Sequence, residues 1–223
     1  MSISPADPSP TISLLGTTAL LFEAPGSLDL APQQRLWAMA RVTVQWPEIR
    51  ESVPGMNNLM LTFTRAPREL GALTRRLLET WEACEPLPLE GRIIELPVTY
   101  GGEHGPHMND VIAHTGLDIE TIAHLHSEPL YPVYALGSHP GYCYLGGMNA
   151  RIATPRRQVP VISIGAGSVS IGGVQTGVSA SAGPSGWNTI GRTEMVFFDP
   201  EQSPPALLQP GDLLRFRIER IIR

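Results

Sequence analysis

Six histidines fall between His104 and His139, a dense run of side chains able to move protons or hold metals. His104 and His107 stand three apart, and His124 and His126 two apart. A zinc centre needs carboxylate or thiolate ligands on a fixed scaffold, and two residues at the second spacing do not share a helix face. No metal site is expected, and each histidine taken singly reads as a satisfied polar or surface group. Arg156-Arg157, after Pro155, could clamp an anion, because a guanidinium fork matches carboxylate or phosphate. A solvated turn explains the pair as well. Trp187 and Arg192, within GPSGWNTIGRT, are open in the same way, since an aromatic beside glycines is often a packing anchor.

Other chemistries are excluded. All 16 basic residues are arginine, so neither a lysine-bearing phosphate loop nor a Schiff base is available. Gly165-Ala166-Gly167-Ser168, followed by Gly172-Gly173, looks like a phosphate cradle. The dinucleotide fingerprint, however, feeds a helix, and here small and β-branched residues continue as strand, which favours barrel corners. No GxSxG elbow is present for a serine hydrolase. Cys84 and Cys143 stand apart without CxxC spacing, which argues against a disulfide framework or structural zinc.

The elements that must position these groups change character along the chain. Met1–Pro10 reads as a loose tail with no leader pattern. Thr17–Glu23 reads as a strand, and a helix runs from Pro32 to about Val44 with Leu36, Ala40 and Thr43 on one face. Trp46–Val53 and Asn58–Thr64 read as strands around a Pro54-Gly55 turn. Pro67 is placed to open a second helix carrying Leu70, Leu73, Leu77, Leu78 and Trp81 at helical spacing. The order β-α-β-β-α predicts helices over one face of an antiparallel sheet.

Glu82–Gly91 interrupts the pattern with prolines and acids and marks a boundary between residues 1–88 and 89–223. Beyond it, Arg92–Thr99 reads as a strand. Helices follow near Pro106–His114 and Asp118–His126, with Gly116 ending the first and Asp118 capping the second. Tyr131–Gly137, Val159–Ile164, Ser168–Gly173, Thr193–Asp199 and Leu213–Glu219 read as short strands with glycine-rich corners, which favours a closed barrel. The fold class is α+β: a small N-terminal α/β sandwich followed by a β-barrel. The net charge of -5 argues against nucleic acid or an anionic membrane as partner. With no long apolar run, the expected location is the cytoplasm.

Within residues 92–223 the chain resembles a known family. Leu96-Pro97-Val98-Thr99-Tyr100-Gly101-Gly102-Glu103-His104-Gly105-Pro106 is similar to the strand and loop opening the cyclophilin-like domain of one family, which unites KipI, allophanate hydrolase subunit 1 and the B-type subunits of 5-oxoprolinase. His126-Ser127 with Tyr131 and Val133, and Pro140-Gly141-Tyr142-Cys143-Tyr144-Leu145-Gly146-Gly147, fit the same pattern. So do Pro155-Arg156-Arg157, Ala166-Gly167-Ser168-Val169, Gly173-Val174-Gln175-Thr176-Gly177, Gly186-Trp187 through Thr193, Pro210-Gly211-Asp212 and Arg215-Phe216. The family usually has Asp where His107 stands, an aromatic at Ser138, Pro-Arg at Pro160-Val161 and Tyr-Pro at Ser179-Ala180. It has SPGGW where this chain has Gly183-Pro184-Ser185-Gly186-Trp187. Losing an Arg and a Tyr together alters what the site recognises.

The resemblance implies a cyclophilin-like barrel and one component of an ATP-dependent 5-oxoprolinase, opening the 5-oxoproline lactam to L-glutamate. It implies two partners, a homologous C-type subunit of the biotin-dependent carboxyltransferase-like kind and an A-type, LamB/YcsF-like subunit. ATP, with Mg, would bind this chain or a partner. An amide becomes a good electrophile once its oxygen is phosphorylated, and that oxygen then needs cationic or N–H stabilisation. His126, Arg157 and Arg192 are the implied catalytic residues; Tyr144, Gln175, Thr176 and Trp187 are the implied substrate contacts. A closed barrel can bring residues of separate segments to one mouth, which is the expectation for His126, Arg157, Gln175 and Arg192. The family also leaves open a KipI-like inhibitor of a sensor histidine kinase and an amide- or urea-type hydrolase or carboxyltransferase subunit. A prolyl isomerase follows from fold alone, which does not license function.

Overall fold

The computed structural model describes residues 9–223, so most of the expected N-terminal tail lies outside the described residues. The chain divides into two compact units, one ending at Pro88 and the other beginning at Leu89.

In the first unit, β1 (Thr11–Leu15), β2 (Ala19–Glu23), α1 (Leu30–Thr43), β3 (Ile49–Pro54), β4 (Asn58–Phe63) and α2 (Leu70–Ala83) follow in order. The strands form an antiparallel sheet ordered β1-β2-β4-β3. Alternation along β2 and β4 sends Leu20, Phe22, Leu59, Leu61 and Phe63 to the core, where they meet Leu36 of α1 and Leu73, Leu77 and Trp81 of α2. Strand β1 was not anticipated from the sequence. Pro67 does not open α2, which starts at Leu70 after Glu69. A start at Pro67 would leave Ala66 as the cap, with no side-chain oxygen for the first amides.

The second unit is a closed barrel. Its elements are β5 (Ile93–Gly101), α3 (Met108–Thr115), α4 (Ile119–Ser127), β6 (Tyr131–Leu136), β7 (Cys143–Leu145), β8 (Val161–Ile164), β9 (Ser168–Gly172), β10 (Gln175–Val178), β11 (Gly183–Ser185), β12 (Asn188–Arg192) and β13 (Leu213–Ile222). The barrel order is β10-β7-β6-β13-β5-β12-β9, with β8 and β11 forming a separate ribbon. Gly116 ends α3 in the left-handed conformation, and the Asp118 carboxylate caps α4 by accepting from the Thr121 N–H at 2.7 Å.

Thr193–Asp199 is not a barrel strand. Its backbone bonds run to a nearby loop, with Leu207 N–H donating to the Phe197 carbonyl and Asp199 N–H to that of Pro205. Phe197 is thereby buried against the barrel core. The barrel strand is the preceding segment, β12, where Gly191 lies so close to β5 that a Cβ would meet the Thr99 carbonyl at 2.8 Å.

Candidate functional site

A groove of about 280 Å³ opens beside β12, between the loop after β5 and the β8 segment. After β5 the chain turns through Gly101 and Gly102, both with positive φ, and lays Gly105 against the Ile190 carbonyl, where a Cβ would come within 2.3 Å. This delivers His107 to Thr189. The His107 N–H donates to the Thr189 carbonyl at 3.0 Å, and the Thr189 N–H donates to His107 Nδ1 at 2.9 Å. Because Nδ1 accepts, the neutral imidazole carries its proton on Nε2. Burial, and then the neighbouring Arg157 guanidinium, hold the His107 pKa below its ordinary value, with Asp110 opposing.

Ser168 and Arg192 complete the groove at the paired ends of β9 and β12. Ser168 is only 6% exposed, and no protein group within the described residues bonds its hydroxyl. Arg192 Nε reaches Glu194 at 3.3 Å, while its Nη1 lies where a Cβ on Gly165 would be 3.3 Å away. Arg157 sits next door, paired with Asp110, and its backbone N–H donates to the Gly186 carbonyl.

The other implied residues are not at this groove. His126 is fully buried in the barrel, ringed by Tyr100, Tyr131 and Phe216. The Thr176 hydroxyl donates to the Ser170 carbonyl at 3.1 Å, so it accepts from His126 Nε2–H at 2.8 Å; Nδ1 then accepts from the Tyr100 hydroxyl at 2.8 Å. Desolvation holds the His126 pKa down to about 3. Thr176 therefore serves the interior.

Tyr144, Gln175 and Trp187 gather on the outside of the barrel instead. Tyr144 pairs with Gly177, and Gln175 with Gly172. Both glycines make room for rings: a Cβ on Gly172 would enter the Trp187 indole at 2.5 Å, and one on Gly177 would meet the Tyr142 hydroxyl at 2.8 Å. Tyr142 packs on Tyr144 at 4.9 Å, and Arg156 lies over Trp187 at 5.6 Å. His126 lies in the interior and Gln175 on the outer aromatic face, apart from Arg192 at the groove, so the expected residues fall into an interior network, an outer face and the groove. Sequence reasoning missed His107, Ser168 and Thr189 as a group. The three-residue spacing of His104 and His107 was the one available signal.

A family model described as the carboxyltransferase domain, subdomain C and D, matches residues 10–208. The B-type subunit of 5-oxoprolinase from Escherichia coli O157:H7 is 44% identical over 204 residues, covering 91% of this chain and 93% of the relative. The chain belongs to the family of 5-oxoprolinase B-type subunits. The Haemophilus influenzae protein of the same name is 40% identical over 93% of this chain and 97% of its own length. Among solved structures, TTHA0988 superposes with a TM-score of 0.76 at 30% identity, over 92% of this chain and 40% of that longer one.

For a member of this family the fit of a nucleotide can be tested on the glycine segment. Gly167 N–H already donates to the Ser179 carbonyl, Ser168 N–H to Gly165, and Gly173 N–H to Thr154. A phosphate cradle needs those amides free, and the groove is small for a nucleotide. The glycine segment therefore does not offer a phosphate cradle. Among the described residues no three His, Cys, Asp or Glu side chains come together as metal ligands, and no helix is long and apolar enough to cross a membrane.

Proposed function

We propose that this chain is the B-type subunit of an ATP-dependent 5-oxoprolinase that opens the 5-oxoproline lactam to L-glutamate. The observation carrying this reading is the 44% identity to a 5-oxoprolinase component of that type along nearly the full length of both proteins. What the chain itself offers is hydrogen-bond donors: Arg192, Ser168 and His107 around one groove. Such a groove orients and polarises a ligand. The nucleotide and its Mg are held by the partners, a C-type, carboxyltransferase-like subunit together with an A-type, LamB/YcsF-like one, in a cytoplasmic complex. A carboxyltransferase component is the second reading, favoured by the description of the matching family model.

Co-expression with both partners tests this. The purified complex should release phosphate and glutamate only when 5-oxoproline is added, and each chain alone should be inactive. Glutamate formation by the single chain would overturn the need for partners. A correctly assembled complex that ignores 5-oxoproline but transfers carboxyl groups would replace the first reading by the second.

A further inference from the structure

We propose that the groove beside β12 binds a small monocarboxylate that also carries a second hydrogen-bonding group, with Arg192 as the charge partner and His107 and Ser168 as the polar contacts. The ligand's identity rests on the functional reading above, which makes it 5-oxoproline, a five-membered lactam with one carboxylate. The place of the site rests only on the geometry.

Three side chains converge there with donors left free. Ser168 is more than nine-tenths buried and lines the groove, and its hydroxyl has no partner among the described residues. Several other buried hydroxyls of the barrel are satisfied: Thr154 bonds the Ile152 carbonyl, Thr176 that of Ser170, and Ser170 and Thr189 bond each other. Ser179 is buried and similarly bare, but Ser168 is the one on the groove wall.

Arg192 has one edge turned to Glu194, which is 82% exposed, so that pair is screened and weak. The other edge lies over Gly165, where the missing side chain leaves the guanidinium uncovered. A free fork of this kind favours a carboxylate, which it can bond twice. His107 is clamped to Thr189 on its Nδ1 side, which leaves a neutral Nε2–H without a protein acceptor in the described residues. Glu103 also lines the groove, but at 88% side-chain exposure it belongs to the rim.

The ligand's chemistry follows from this count. One uncovered cation takes one negative charge, a neutral N–H takes a carbonyl oxygen, and a hydroxyl can donate or accept. A cavity of 280 Å³ falls just under the ~300–1,000 Å³ usual for drug-sized ligands, which suits a small acid. The lactam meets this description, with its carboxylate on Arg192, its ring carbonyl accepting from His107 and its ring N–H donating to Ser168.

The test uses the full chain and the reconstituted complex. Isothermal titration of the chain with 5-oxo-L-proline should give saturable binding. L-Proline, which lacks the carbonyl, and 2-pyrrolidinone, which lacks the carboxylate, should each bind at least tenfold more weakly. Arg192→Gln should weaken binding tenfold or more and Arg192→Lys should restore part of it, with melting temperatures unchanged. In the complex, Arg192→Gln and Ser168→Ala should raise KM for 5-oxoproline more than they lower kcat. An active wild-type complex whose KM ignores both variants overturns the site and leaves the functional reading standing. An inactive wild-type complex, with binding by the chain that Arg192→Gln abolishes, overturns the functional reading and leaves the site.

Discussion

The barrel holds two histidines in opposite circumstances. His126, in the interior, has both ring nitrogens bonded and its hydrogen-bond chain closed on the Ser170 carbonyl. His107, at the groove, has one nitrogen fixed by Thr189 and the other free. The interior polar groups satisfy one another, as burial demands, and therefore stabilise structure. The groove's donors are fixed in place but incompletely used, which is the preorganised arrangement a ligand exploits. Burial alone does not separate structural from functional residues here; the count of unused donors does.

The strongest way to break this comparison is His126→Ala. It removes two buried hydrogen bonds, strands the Tyr100 hydroxyl, and opens a cavity among Tyr131 and Phe216. A loss of about 3–5 kcal/mol in chemical denaturation is expected. A variant of near-native stability whose complex has lost activity would give His126 a catalytic role.

How much of this was legible in the sequence depended on whether the signal was local. The α3–α4 junction could be read because Gly116 and Asp118 act within one turn of themselves. Strands β7, β10 and β12 could not, because each is short and two of them contain glycines placed by distant partners, Tyr142 for Gly177 and Thr99 for Gly191. Arg192 was legible as a cation; that Gly165 uncovers it was not. Ser168 sits in a glycine run that reads correctly as a barrel corner, and nothing in the run says that the corner faces a groove. His126 was singled out through its family pattern, and its burial between β5, β10 and β13 emerges only when the barrel closes.

A second effect, smaller per step, sharpens the comparison through pH. The native His126 titrates at about 3, against an ordinary value near 6.5. Between these values the unfolded chain binds a proton that the native chain refuses. The contribution of His126 is thus complete above about pH 6.5 and is lost as pH falls toward 3, at about 1.4 kcal/mol per pH unit. Urea midpoints measured from pH 7 to pH 5, above the carboxylate range, should show this slope. His126→Phe, which keeps a ring and cannot titrate, should flatten most of it. His107, also lowered, supplies the remainder with the same sign. An unchanged slope in His126→Phe would mean that the interior histidine is not the acid-sensitive group.

The smallest change in stability, and the finest probe of the groove, is Arg157→Ala. Its ion pair with Asp110 is partly exposed, the carboxylate side chain by 58%, so its loss should cost under about 1 kcal/mol. Arg157 Nε is buried without a partner, which reduces the cost further, and the backbone N–H that holds Gly186 survives the substitution. The consequence should appear on His107 instead. Removing the guanidinium removes a repulsion of the imidazolium, and the freed Asp110 carboxylate attracts it, so both changes raise the His107 pKa. Protonation takes away the Nδ1 lone pair that accepts from the Thr189 N–H, so the clamp on β12 should open at a higher pH than in the native protein. An NMR titration of the His107 ring and the Thr189 amide should show the two moving together, shifted upward in Arg157→Ala. A His107 titration that does not move would make Arg157 a loop anchor acting through its backbone alone, and the groove's imidazole would owe its neutrality to burial.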